Sequence, residues 1–128
     1  MKILLDTHIL LWYISGDARL PEDKRDAICS AENEIYLSVV SLWETLIKHH
    51  IGKLTFPQPP ELCLPEQRER HRIASLASDE ISVARLATLP PLHRDPFDRM
   101  LICQAHVHGL VLMTVDEILR ANSVQIFA

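Results

Sequence analysis

Glycine is scarce in this chain. Gly16, Gly52 and Gly109 are the only three, and each follows a helix-like segment and is used up as its end. No glycine-rich loop remains to cradle a phosphate, which excludes dinucleotide-binding and P-loop sites. Cysteine is as rare: Cys29, Cys63 and Cys103 are odd in number, far apart and without a Cys-x-x-Cys pair. They read as reduced thiols of a cytosolic protein, two or three of them buried, and not as a disulfide framework or zinc site. No apolar run approaches the length of a membrane span, and the N-terminal one meets Asp6 too early for a signal peptide. A basic excess is also lacking. The 13 Lys and Arg are outnumbered by 17 Asp and Glu, a net charge of -4, so nothing pulls the whole molecule toward nucleic acid or an anionic membrane, and any such binding must use local patches. Internal repeats and low-complexity tracts are absent.

What is present is the composition of a globular protein, 48% hydrophobic and 23% charged over 128 residues. That length favours a single domain over 1–128, large enough to bury roughly two-thirds of its unfolded surface. Lys2-Ile3-Leu4-Leu5 is a continuous apolar run of the kind a parallel sheet buries on both faces, and it runs straight into Asp6. A short helix over 9–14 follows, ended by Gly16, then a helix with Pro21 at its first position running to about Ala31. A second strand is expected over 34–38 and a helix beginning at Ser41 and stopping at Gly52. The proline-rich stretch 53–65 reads as a connection, with a polar helix from Pro65 to Arg72, a short strand over 73–76 and a helix from Asp79 to Leu89 in which Ile81, Ala84 and Leu86 are apolar. Asp95-Pro96 opens the best-signalled helix, with Phe97, Leu101 and Ala105 on one face and Gly109 as its stop. The apolar strand 110–114 also leads to an acid, Asp116, before a short helix and a last strand over 124–127. Alternating strands and helices without hairpins predict an α/β fold, a three-layer α/β/α sandwich with a mostly parallel sheet of about five strands.

Four acids fall where such a sheet would gather them. Asp6 ends the first strand, Glu44 is placed in the first turn of the helix after the second, Asp98 in the first turn of the helix before strand 110–114, and Asp116 just beyond that strand. Strand C-termini and helix N-termini share one edge of a parallel sheet, where ligands bind. Each acid but one has a bland alternative. Glu44 stands three residues after Ser41, the spacing of a capping box, and taken alone that is its better reading. Asp98 could complement a helix dipole, and Asp116 could cap the segment 117–119. Asp6 has no such role. Together the four suit phosphodiester hydrolysis assisted by Mg²⁺ or Mn²⁺, hard cations that prefer carboxylate oxygens. Without a cation, carboxylates this close would repel by on the order of 4 kcal/mol per pair at 4 Å.

Ile3-Leu4-Leu5-Asp6-Thr7-His8, Ser38-Val39-Val40-Ser41-Leu42-Trp43-Glu44, Leu89-Pro90-Pro91-Leu92-His93-Arg94-Asp95-Pro96-Phe97-Asp98-Arg99 and Leu112-Met113-Thr114-Val115-Asp116 occur in this order along nearly the whole chain. In order and spacing they resemble the PIN domain, and within it the VapC-type toxin ribonucleases of prokaryotic type II toxin–antitoxin systems. The resemblance implies about five parallel strands flanked by helices and a divalent-metal-dependent endoribonuclease specific for single-stranded RNA. It puts the family's acids on Asp6, Glu44, Asp98 and Asp116 as catalytic and metal-binding residues. Thr114 matches a hydroxyl near the metal, and Asp95 is an additional acid that caps its helix or supports the site from behind. The resemblance further implies a homodimer in the cytoplasm, no membrane association, and inhibition by a cognate antitoxin whose tail covers the acidic groove.

Arg99, Arg94 and His93 flank the acids and could contact phosphate. Lys48-His49-His50 with Lys53, and residues 68–72, are basic islands that read as solvated faces, and His8 is given no direct catalytic part. His106 and His108 are two apart, so they do not share a helix face and make a poor metal pair. Two rival functions remain. A phosphotransfer domain also has an acidic pocket, but an aspartyl-phosphate site wants an Asp where His8 stands, and a receiver domain wants a late lysine, whereas none follows Lys53. A non-catalytic PIN-like binding module acting through complex formation is the other.

Overall fold

The computed structural model describes residues 1–89, 95–116 and 126–127. Four strands, β1 (Lys2–Leu5), β2 (Glu34–Ser38), β3 (Ala74–Leu76) and β4 (Val111–Met113), form a sheet of order β3-β2-β1-β4. Every pairing is parallel, with Ile3 opposite both Ile35 and Val111. Six helices, α1 (Thr7–Ser15), α2 (Glu22–Cys29), α3 (Val39–His50), α4 (Pro60–Arg70), α5 (Glu80–Arg85) and α6 (Pro96–His108), supply the connections. The side chains of β1 alternate between two cores. Ile3 and Leu5 pack with Ile9 and Leu10 of α1, Ile28 of α2 and Leu64 of α4, while Leu4 packs with Leu101, Ile102 and Ala105 of α6. Helices therefore cover both faces, and the α/β sandwich is as the residue pattern predicts. Four strands, not five, occur among the described residues. Ile126 adds one parallel bridge to Leu112, and residues 124 and 125 of the expected last strand lie outside the described part, as do His93, Arg94, the Pro90-Pro91 helix end and the helix expected at 117–119.

Gly16 and Gly109 end α1 and α6 in the left-handed conformation, φ 67° and 64°, that only glycine adopts without strain. Four boundaries depart from expectation. Ser38, not Ser41, caps α3, accepting a hydrogen bond from the Val40 N–H at 3.0 Å, so the helix starts two residues earlier. The α2 helix ends at Cys29, short of Ala31. The α4 helix begins at Pro60 and carries Pro65 inside it, because Pro60 fits the first turn, where no N–H is required. The α5 helix is short and passes into a 3₁₀ turn over Leu86–Thr88. Its Ile81 is exposed. All three cysteines are free, but only Cys103 is buried; Cys63 is half-buried and Cys29 exposed. His106 and His108 serve as ties from α6 to Arg85 and Asp79, at 2.6 and 2.8 Å. Among the described residues no helix is long and apolar enough to cross a membrane.

Candidate active site

Parallel strands β1 and β4 end side by side, with the Asp6 N–H donating to the Met113 carbonyl at 3.0 Å. Asp6 therefore occupies the N-cap position of α1, yet its carboxylate makes no capping hydrogen bond. Instead Asp6 Oδ2 accepts from Thr114 Oγ1 at 2.8 Å, and Thr114 in turn accepts from the Asp116 N–H at 3.0 Å. The Asp6 carboxylate is only 4% exposed. Burial raises its pKa against the opposing pull of the Thr114 hydrogen bond and the His8 charge.

Glu44 reaches the same edge from α3. Because that helix starts at Val39, Glu44 lies in its second turn and not its first, and the capping-box alternative falls away with the cap at Ser38. Glu44 is 2% exposed. Thr7 Oγ1 stands 2.8 Å from both Glu44 Oε1 and Ser41 Oγ. One hydroxyl proton cannot serve both, so Thr7 donates to the carboxylate and accepts from Ser41. The second oxygen, Oε2, is 2.6 Å from Lys48 Nζ. Burial alone would lower the Lys48 pKa, but the hydrogen bond and charge of Glu44, with the charges of Asp95 and Asp98, hold it above its ordinary value.

From α6, Asp95 is the N-cap, accepting from the N–H groups of Phe97 and Asp98 at 2.8 and 3.2 Å. Asp98 is pushed up to about 8, first by burial and then by the charges of Asp6, Asp95, Glu44 and Asp116. All five of these acids line one cavity of about 330 Å³, together with His8, Trp12, Arg19, Lys48 and Val115. Arg99 sits half-buried on α6 and is not one of the lining residues.

The expected site residues Asp6, Glu44, Asp98 and Asp116 thus converge, with Thr114 behind Asp6 and Asp95 at the rim. Sequence reasoning missed Lys48 and Arg19 as cavity residues, and His8, given no direct catalytic part, lines the same cavity. A signal existed for Lys48, since a Glu and a Lys four apart share a helix face. For Arg19 there was none: it enters the cavity wall from the loop between α1 and α2, turned onto Asp17 at 2.7 Å and over the Trp12 ring at 5.1 Å.

Among the described residues no three acidic or imidazole side chains stand close enough together to cage an ion as they are. The donor set nevertheless fits a hard divalent cation held through water and one or two carboxylates, the usual manner for Mg²⁺. A second cavity of about 530 Å³ adjoins the first, sharing His8, Trp12 and Arg19 and walled largely by Leu11, Ile14, Leu54, Phe56 and Pro57.

No curated protein matches the chain. Among solved structures, VapBC2 from Rickettsia felis bound to a DNA fragment from their promoter is similar, with a TM-score of 0.74 at 15% identity, over 100% of this chain and 98% of that one. VapBC-1 from nontypeable Haemophilus influenzae gives 0.68 at 21% identity, over 99% and 97%. FitAcB from Neisseria gonorrhoeae gives 0.61 at 21% identity, over 98% and 96%. At such identities the likeness speaks for the fold. The family model described as the PIN domain matches residues 3–124, and the chain therefore belongs to the PIN domain family.

Proposed function

We propose that residues 1–128 act as one domain, a divalent-metal-dependent endoribonuclease that cleaves single-stranded RNA, and that it is the toxin of a type II toxin–antitoxin pair. The observation that carries this reading is the convergence of Asp6, Glu44, Asp98 and Asp116, from four separate segments, on one cavity at the carboxyl edge of the sheet. Asp6, Asp98 and Asp116 would hold Mg²⁺ or Mn²⁺, with Glu44 joining them directly or through water. The bound cation supplies an activated water and stabilises charge on the phosphate. Thr114 keeps the Asp6 carboxylate turned toward the cavity, and Asp95 holds the first turn of α6, with Asp98 on it, in place. Arg19 and His8 at the rim suit contacts to the substrate's flanking phosphates, as Arg99 does from α6.

The partners follow from two surfaces. Val39, Trp43 and Ile47 of α3 and Ile51 at its C-cap are exposed large apolar side chains spaced four apart, a stripe suited to a homodimer, and Trp43, at 59% exposed, packs edge-on against Phe97 beside the site. The apolar cavity adjoining the acidic one suits a segment of a cognate antitoxin, which would thereby cover the carboxylates. A toxin–antitoxin complex from Klebsiella pneumoniae also has this architecture, and an RNA target together with free thiols is consistent with the cytoplasm.

Purified Asp6→Asn and Asp98→Asn proteins should lose Mg²⁺-dependent cleavage of single-stranded RNA by on the order of a thousandfold, about 4 kcal/mol of barrier. Wild-type rates in both variants would refute the assignment.

A further inference from the structure

The acidic cavity carries an ammonium group of its own. Lys48 lines it, and its Nζ lies 2.6 Å from Glu44 Oε2, with the lysine side chain 28% and the glutamate side chain 3% exposed. Since Glu44 Oε1 is already engaged by Thr7 at 2.8 Å, both carboxylate oxygens are occupied by donors from this chain. The neighbouring cation Arg19 is turned onto Asp17 and not onto Glu44. A lysine is well suited to a temporary post: its charge is compact, and its four-carbon stem can swing. An ammonium here competes with a divalent cation twice, by blocking Glu44 Oε2 and by repelling a second positive charge in the same cavity.

We propose that Lys48 is the resident counter-ion of the metal-free cavity, displaced from Glu44 when a divalent cation enters, so that it sets the metal concentration at which the site loads. The proposal rests on the metal-dependent reading above and concerns the regulation of that same site. It treats Lys48 as a positioning residue acting through Glu44, not as a group that touches the reacting atoms.

Calorimetric titration of Mn²⁺ into the purified wild-type protein and its variants tests this without recourse to activity. Lys48→Gln should bind Mn²⁺ about tenfold tighter than wild type or better, and Lys48→Arg, which keeps the charge, should stay within about threefold. Equal or weaker binding by Lys48→Gln overturns the proposal. A second measurement uses the unaltered protein and so does not depend on a variant folding: acylation of lysine amines read by mass spectrometry. Labelling of Lys48 should speed up several-fold on saturation with Mn²⁺, while the exposed references Lys2 and Lys53 keep their rates. Unchanged or slower labelling of Lys48 in a protein that binds Mn²⁺ overturns the inference alone. Failure of wild type to bind Mn²⁺ at all would instead bring down the metal reading, and this inference with it.

Discussion

The two halves of the acidic cavity are held by different means. On the strand side, Asp6 is buried at the end of β1 and bonded by a neutral hydroxyl, Thr114, which is itself fixed by the Asp116 backbone. On the helix side, Glu44 is buried just as deeply but bonded by one hydroxyl and one ammonium, Thr7 and Lys48. A hydroxyl orients a carboxylate without cancelling its charge, whereas an ammonium cancels it. The strand half therefore keeps its negative potential for an incoming cation, and the helix half is neutralised from within.

The largest expected effect sets a carboxylate crowded by other acids against one bonded by an ammonium. Asp98 has a folded-state pKa of about 8 against an ordinary 3.8. The folded protein favours the protonated carboxyl, so its stabilising contribution is full below pH 3.8 and is lost as the pH rises to about 8. Melted in a chelator, Asp98→Asn should match wild type near pH 4 and exceed it increasingly up to about pH 8, by about 2 kcal/mol once solvent screening of a partly exposed group is allowed for. Glu44→Gln should do the opposite, losing about 1–3 kcal/mol at neutral pH, because Lys48 is left without its partner. The same sign in both variants would break the comparison.

That asymmetry was only partly legible in the sequence. The apolar run into Asp6 and the Asp95-Pro96 start of α6 announced themselves because each rests on a local rule, burial on both faces of a parallel strand or a cap followed by proline. Glu44 was placed near the right edge but on the wrong turn. Ser38 and Ser41 both offer a capping hydroxyl, and the β-branched pair Val39-Val40 is a weak helix former, so the start was placed at Ser41 although the Ser38 cap begins the helix two residues earlier. The exposed face of α5, with Ile81 outermost, was unreadable for a related reason: a six-residue helix carries too few turns for its periodicity to fix a face. Lys48 was taken for a solvated island because charge on a helix is usually solvated, and only tertiary structure reveals that its partner is nearly inaccessible to water.

A smaller effect sharpens the strand half. Thr114→Val removes the hydroxyl that donates to Asp6 and accepts from the Asp116 N–H, taking one hydrogen bond from each at nearly constant side-chain volume. It should cost about 1–3 kcal/mol in denaturant unfolding and weaken Mn²⁺ binding, since Asp6 is held less firmly in one orientation. A loss of stability with unaltered metal affinity would mean that the hydroxyl supports the fold and not the site.

The smallest effect lies on the helix half and depends on where one proton points. Thr7 has two oxygen neighbours at 2.8 Å, Ser41 and Glu44. If its proton goes to the carboxylate, Ser41 is the donor to Thr7, and Ser41→Ala removes a bond that Glu44 does not feel directly. The cost should then be about 0.5–1.5 kcal/mol, with Mn²⁺ affinity unchanged. Thr7→Val, which strips Glu44 of its neutral donor and leaves Lys48 as its remaining bonded partner in this pair of contacts, should cost more than Ser41→Ala and make the Glu44–Lys48 pair harder to open, so that Mn²⁺ binds more weakly. Denaturant melts and Mn²⁺ titrations on the two variants separate the cases. Equal costs and equal affinities would place the Thr7 proton on Ser41, and would leave Lys48 as the sole donor holding the helix half of the site.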